Sequence, residues 1–159
     1  MHTRNDLPEG TRAKIIPMLQ ERLADSIDLM LQVKQAHWNV RGPGFIELHL
    51  LFDKIAEETE EYPDLIAERV GQLGGLAEGT IRQASKASKI PDYPTRITTC
   101  KDHAAALATA LSSFAALARK SIADATEAED AVTADILTEI TRGLDKNMWF
   151  VEAHTQAER

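Results

Sequence analysis

The sequence predicts an all-α fold: four long helices, with a short extra helix in the long crossover between helices two and three. Three observations predict it. Alanine, leucine and glutamate dominate, while 159 residues hold only 8 Gly and 6 Pro, so strong helix formers are rarely interrupted. Long stretches repeat apolar residues every three or four positions, the period of a helix with one buried face. The breakers cluster, at Gly42-Pro43-Gly44, at Gly74-Gly75 and at Pro91 and Pro94, and so punctuate the chain into a few long segments. A chain of this length supports one good core. Residues 1–10 are expected as a short N-terminal arm and residues 11–159 as a single four-helix-bundle domain.

The first long helix is expected from Thr11 to about Trp38, with Ile15, Leu19, Leu23, Ile27, Met30, Leu31 and Val33 at helical spacing. Pro17 is placed near its first turn, where proline is tolerated. NVRGPG then ends the helix, and a connection this short makes the second helix an antiparallel neighbour. The second helix covers most of residues 45–75 and stops at Gly74-Gly75. Pro63 lies within it and is expected to kink or break the helix just before Asp64. The next twenty residues hold a short helix around 80–87 and cross the bundle, which makes the second and third long helices parallel. The third runs from about Thr95 to Asp124, with Leu107, Leu111, Phe114, Leu117 and Ile122 on one face. An acidic joint, DATEAED, leads to the fourth, from about Ala131 to His154, which carries Ile136, Leu137, Ile140, Leu144, Met148, Trp149 and Val151.

The formal charge of −7 and pI near 5.2 disfavour nucleic-acid phosphates and favour cations. Arg4, Arg12 and Lys14 near the start are offset by Asp6 and Glu9, so the arm is expected as a solvated tail rather than a DNA-binding one. The single Cys100 forms no intrachain disulfide, which fits a reducing compartment or simple indifference to redox. No apolar leader and no run of eighteen uncharged apolar residues is present, so no signal peptide or membrane span is expected and the placement is cytoplasmic.

The chemistry concentrates in FIELHLLFDKIAEETEEYPDLIAERVGQLGG, residues 45–75. His49 with Asp53, and Asp64 with Glu68, are pairs four residues apart, each on one helical face. All four lie within a stripe of roughly 100°. Asp53 and Asp64 are nonetheless about 16 Å apart along the axis, at the usual rise per residue. One cation cannot reach both pairs from one chain. Packing the helix antiparallel against a second copy, about a two-fold axis near residues 58–59, brings Asp53 to the partner's Asp64 and His49 to the partner's Glu68. His37, ending the first helix across the short turn, is a fifth candidate. Two imidazoles and three carboxylates suit Fe(II), Mn(II) or Zn(II).

HWNVRGPGFIELHLLFD followed by DLIAERVGQLGG resembles the signature of the Dps family (DNA-binding protein from starved cells), the mini-ferritins, and GLDKNMWFVEAH resembles that family's last helix. The likeness runs from residue 5 onward, and the helix plan matches the ferritin-like four-helix bundle. It implies that His37, His49 and Asp53 from one subunit, with Asp64 and Glu68 from its two-fold mate, are catalytic and metal ligands of a ferroxidase. It further implies a hollow homododecamer joined through helix two, in which Fe(II) is oxidised, with hydrogen peroxide in preference to dioxygen, and ferric mineral is stored. Zn or Mn would be substitutes for iron. Pro63 departs from the family's pattern. By the same likeness, Asp130 and Asp135 line a pore at the start of the fourth helix, with Asp124 and Glu129 as weaker candidates.

Trp38, beside His37, is expected as an interface aromatic that could intercept a stray radical, and Trp149 as core or interface. Glu57, Glu60 and Glu61 lie between the ligand pairs and suit either mineral nucleation or a solvated face. His103 and His154 lack a ligand partner at helical spacing and are assigned structural places. No HExxH, CxxC, GxGxxG or Walker loop is present. The alternative function is that of a DNA-condensing starvation protein with little ferroxidase activity.

Overall fold

The computed structural model describes residues 3–156 and contains α1 (Glu9–Asn39), α2 (Phe45–Gln72), α3 (Ile81–Ala87), α4 (Cys100–Glu127) and α5 (Ala131–Ala153). Among the described residues the only bridge is an isolated one between Arg41 and Thr99, outside any strand. It fixes the topology. Arg41 N–H donates to the Thr98 carbonyl at 2.9 Å and Cys100 N–H to the Arg41 carbonyl at 3.1 Å. The starts of α2 and α4 therefore share one end of the bundle, and the two helices run parallel as expected. At the other end Arg69 of α2 reaches Thr133 of α5, and midway Asn147 of α5 reaches Glu58 of α2. α5 is thus antiparallel to α2.

Each long helix buries the stripe that its sequence spacing sets out: Leu19, Leu29 and Val33 of α1, Phe52, Ile55 and Ile66 of α2, Leu107, Leu111 and Phe114 of α4, Leu137, Ile140 and Leu144 of α5. The helix ends follow from local chemistry. The Thr99 hydroxyl accepts from Asp102 N–H at 3.1 Å and the Asp130 carboxylate from Thr133 N–H at 3.0 Å, so α4 and α5 start on side-chain caps. α2 ends in a Schellman motif. Gly74 takes φ +87°, Gly74 N–H donates to the Gly71 carbonyl, and Gly75 N–H to the Val70 carbonyl. A Cβ on Gly75 would lie 2.7 Å from Val70 Cγ1, so a side chain does not fit there.

Four boundaries differ from the sequence expectation. α1 begins at Glu9, so Pro17 sits in the third turn rather than the first. It is exposed there, as is Ala13, whose carbonyl loses its helical partner to the proline. The break expected before Asp64 does not occur, and α2 is helical straight through Pro63. Burial of Ile55, Thr59, Tyr62 and Ile66 on both sides of the proline holds the helix together. The third long helix starts at Cys100, after the Pro91 and Pro94 stretch, rather than at Thr95. It also absorbs part of the acidic joint, leaving only residues 128–130 between α4 and α5. Nor is the arm a free tail. Met1 and His2 lie outside the described residues, but the Thr3 hydroxyl donates to the Gln72 carbonyl and Leu7 packs on the core.

The crossover follows α1 along its length. Asp28 accepts from the Ser88 hydroxyl at 2.6 Å, Asp25 accepts from Lys89 N–H at 2.6 Å, and the Gln32 amide donates to the Pro91 carbonyl at 3.0 Å. Asp25 is fully buried against Arg22, 2.8 Å away, and burial pushes its carboxyl above the usual range despite that partner. No helix among the described residues is long and apolar enough to cross a membrane.

Candidate metal centre

The turn between α1 and α2 brings His37 and His49 face to face, with ring centroids 3.9 Å apart and planes 22° from parallel. Their bonding is reciprocal. His37 Nδ1–H donates to the His49 carbonyl and His49 Nδ1–H to the His37 carbonyl, both at 3.0 Å. A carbonyl can only accept, so each Nδ1 carries the proton, and in the neutral ring each Nε2 keeps its lone pair. A main-chain carbonyl on the far nitrogen is also the usual support of a metal-bound histidine. Asp53 Oδ1 lies 3.6 Å from His37 Nε2. Three of the five sequence-predicted residues are thus brought together by one chain.

Asp64 and Glu68 are not. Both are exposed further along α2, and no hydrogen bond or ion pair ties either to another described residue. Because α2 is unbroken, their separation from Asp53 is that of an ordinary helix, roughly 16 Å from Asp53 to Asp64. Among the described residues of one chain, no group of three or more His, Cys, Asp or Glu is placed to hold a metal ion. His37, His49 and Asp53 are each partly exposed.

Lys34 is the resident that sequence reasoning missed. Its ammonium lies 3.0 Å from Asp53 Oδ1 and, with smaller contributions from His37 and His49, holds that carboxyl below its usual range. Lys34 and Asp53 share a cleft of about 230 Å³ with Met30, Ala56, Glu57 and Glu60. A signal was available, since Lys34 precedes His37 by three residues and so shares its helical face. Beyond the cleft an open groove of about 560 Å³ is lined by Leu23, Ile27, Leu31, Pro63, Asp64 and Ala67, among others. Carboxylates and exposed apolar side chains therefore lie along one continuous face of α1 and α2.

A ferritin-like domain pattern matches residues 16–159. A DNA protection during starvation protein from Agrobacterium fabrum is 47% identical over 154 residues, spanning 97% of this chain and 95% of its own length. The chain belongs to the Dps family of ferritin-like proteins. Among solved Dps structures, the tetragonal form of Mycobacterium smegmatis Dps matches with a TM-score of 0.93 at 33% identity, covering 99% of this chain and 96% of that one. DpsC from Streptomyces coelicolor matches with a TM-score of 0.94 at 31% identity, covering 100% and 93%. The four-helix bundle expected from helix count and crossover length is the fold that these Dps structures share.

The acids at the α4–α5 joint separate on inspection. Asp130 is only 1% exposed. One of its oxygens takes Arg69 Nη2 at 2.7 Å and the other takes the Thr133 hydroxyl at 2.6 Å. It caps α5 and neutralises a buried guanidinium, so within one chain it is not the free carboxylate that the resemblance implied for a pore. Asp135 and Glu129 are exposed and share a cleft of about 580 Å³ with Thr126, Ala131 and Ala134. Asp124 borders a different cleft, with Lys14, Ile15, Met18, Glu127 and Ala128. Trp38 and Trp149 are 64% and 63% exposed, which removes the core alternative for Trp149.

Proposed function

We propose that this chain is a ferroxidase and iron-storage protein whose oxidation site is shared by two subunits. The observation that carries the proposal is the reciprocal locking of His37 and His49, which presents two imidazole Nε2 atoms beside Asp53 on a face that ends in open apolar groove. An antiparallel copy of α2 seated there would bring Asp64 and Glu68 to the histidines and cover Leu31 and its neighbours. Hard oxygen donors with imidazoles bind Fe(II) and favour Fe(III), the harder product. Peroxide takes one electron from each of two Fe(II) ions and, with two protons, leaves as two waters, so no hydroxyl radical is released. The assembly proposed is a cytoplasmic homododecamer, with ferric mineral inside and Asp135 with Glu129 at the openings that admit iron.

The names of its relatives favour a second function, protection of DNA. Twelve chains of charge −7 carry roughly −84, and phosphate attraction is correspondingly poor. Protection is therefore assigned to removal of iron and peroxide rather than to binding. The test is anaerobic Fe(II) loading followed by peroxide. Two Fe(II) oxidised per peroxide, with no spin-trapped hydroxyl radical, is the expected result. Oxidation at the uncatalysed rate contradicts the proposal. A gel shift at physiological salt that disappears on trimming residues 1–12 would establish the DNA-binding alternative.

A further inference from the structure

Tyr93 and His103 form a pair that the iron chemistry leaves unused. Tyr93 lies late in the crossover, and His103 sits in the first turn of α4. The phenol oxygen and His103 Nδ1 are hydrogen-bonded at 2.7 Å, with ring planes 21° apart, and the phenol O–H donates when the ring carries its proton on Nε2. His103 is 1% exposed, and its Nε2 is buried with no hydrogen-bond partner among the described residues. A neutral ring accepting at Nδ1 must carry its own proton on Nε2. A buried N–H without an acceptor is an exception in folded proteins and calls for an explanation.

The surroundings supply one. Burial is the dominant influence on His103 and keeps the ring neutral, while the Ile97 and Asn39 carbonyls and the neighbouring Asp102 carboxylate favour the protonated ring. Burial also raises Tyr93, and no charged group acts on it, so the phenol does not release its proton to water. A phenol in this state loses an electron readily only if a base takes its proton at the same moment, and that base lies 2.7 Å away. The Ile97 and Asn39 carbonyls are groups that favour an imidazolium.

We propose that Tyr93 and His103 are a proton-coupled one-electron donor, a redox-active tyrosine with its base in place. The co-reactant is a one-electron oxidant of the hydroxyl-radical class. It takes one electron from the Tyr93 ring and becomes hydroxide. The phenolic O–H bond breaks and an N–H bond forms at His103 Nδ1, leaving a neutral tyrosyl radical and an imidazolium. Tyr93 is half-buried and borders a cleft of about 180 Å³ with Gln32, Pro91, Asp92 and Pro94, so diffusible oxidants reach its edge. Asn39, whose carbonyl acts on His103, is two residues from His37, which places the pair at the same end of the bundle as the metal centre. There it would supply the second electron when a single Fe(II) meets peroxide. That last role rests on the ferroxidase proposal; the redox activity of the pair does not.

The chain has only 2 Tyr, so Tyr62→Phe and Tyr93→Phe assign any tyrosyl radical. The experiment is photo-oxidation of the metal-free protein by ruthenium tris-bipyridyl with persulfate, read by electron paramagnetic resonance. Expected is a tyrosyl signal in the wild type and in Tyr62→Phe, reduced at least fivefold in Tyr93→Phe. His103→Gln keeps an acceptor for the phenol but no base, and should cut the yield of that radical about tenfold; its circular dichroism reports whether it is folded. An undiminished signal in Tyr93→Phe, or an unchanged yield in folded His103→Gln, overturns the proposal. Since no iron is present, either result leaves the ferroxidase reading untouched, and failure of iron oxidation leaves this one standing.

Discussion

The two halves of α2 are built on different terms. In the first half, His49 and Asp53 are tied to α1 by the reciprocal histidine bonds and the Lys34 ion pair, so their positions are set within one chain. In the second half, Asp64 and Glu68 stand in solvent while the next residue, Arg69, is buried and clamped to Asp130 and Thr133. There the backbone is fixed and the ligand-type side chains are left free. On the proposed reading, three of the five donors are preorganised by intrachain packing, and the other two are held on a rigid helix for a neighbour. A site divided this way would be complete only after assembly, and an unassembled chain would then not oxidise iron where the product has nowhere to be stored.

Substitutions in the two halves should therefore have equal catalytic consequences despite unequal local surroundings. His49→Ala and Asp64→Ala, each still assembled, should both lose peroxide-dependent Fe(II) oxidation by more than the roughly 10–100-fold typical of losing only a ligand's hydrogen-bond support. Stopped-flow absorbance of ferric product measures it. If only His49→Ala matters, the site belongs to one chain. Asp130→Ala should separate stability from chemistry. It strands the buried Arg69 charge and uncaps α5, and should cost about 3–5 kcal/mol in denaturant melts, while leaving oxidation by the folded assembly unchanged.

Lys34→Gln is expected to act in the opposite sense to a ligand loss. The ammonium holds the oxygen that a cation would use, so its removal should tighten Zn(II) binding, by a few-fold at most for a pair this exposed. Isothermal titration with Zn(II) alone checks this, and weaker binding would make Lys34 a support of the site rather than a competitor. The smallest effect concerns pH. Burial depresses His103 in the folded chain below the usual 6.5, so the unfolded chain binds a proton there that the folded chain does not. Stability should be full above pH 6.5 and fall as pH drops below it. His103→Gln should flatten that slope in melts between pH 7 and 5.

Much of this was legible in the sequence because it depends on local period. Apolar spacing set the four long helices, and Gly74-Gly75 marked the end of α2. Four-residue spacing put His49 with Asp53 and Asp64 with Glu68. What was not legible depends on contacts between distant residues. Arg69 and Asp130 are 61 positions apart, and nothing in DATEAED shows that its last acid turns inward to cap α5. Pro63 misled because a single-helix argument counts the lost hydrogen bond and not the packing on either side. The Tyr93–His103 pair was hidden for the same reason, since a loop residue and a helix start meet only when the crossover is laid along α1.

Division of the site between chains is tested most directly by mixing. His49→Ala and Asp64→Ala are each inactive alone on this account. When the two are unfolded together and reassembled at random, half of the pairs are mixed, and each mixed pair holds one site with both defects and one with neither. Oxidation should therefore recover to about a quarter of the wild-type rate, with mixed pairs confirmed by native mass spectrometry. Mixed pairs that form but stay inactive would show that no site takes residues from two chains.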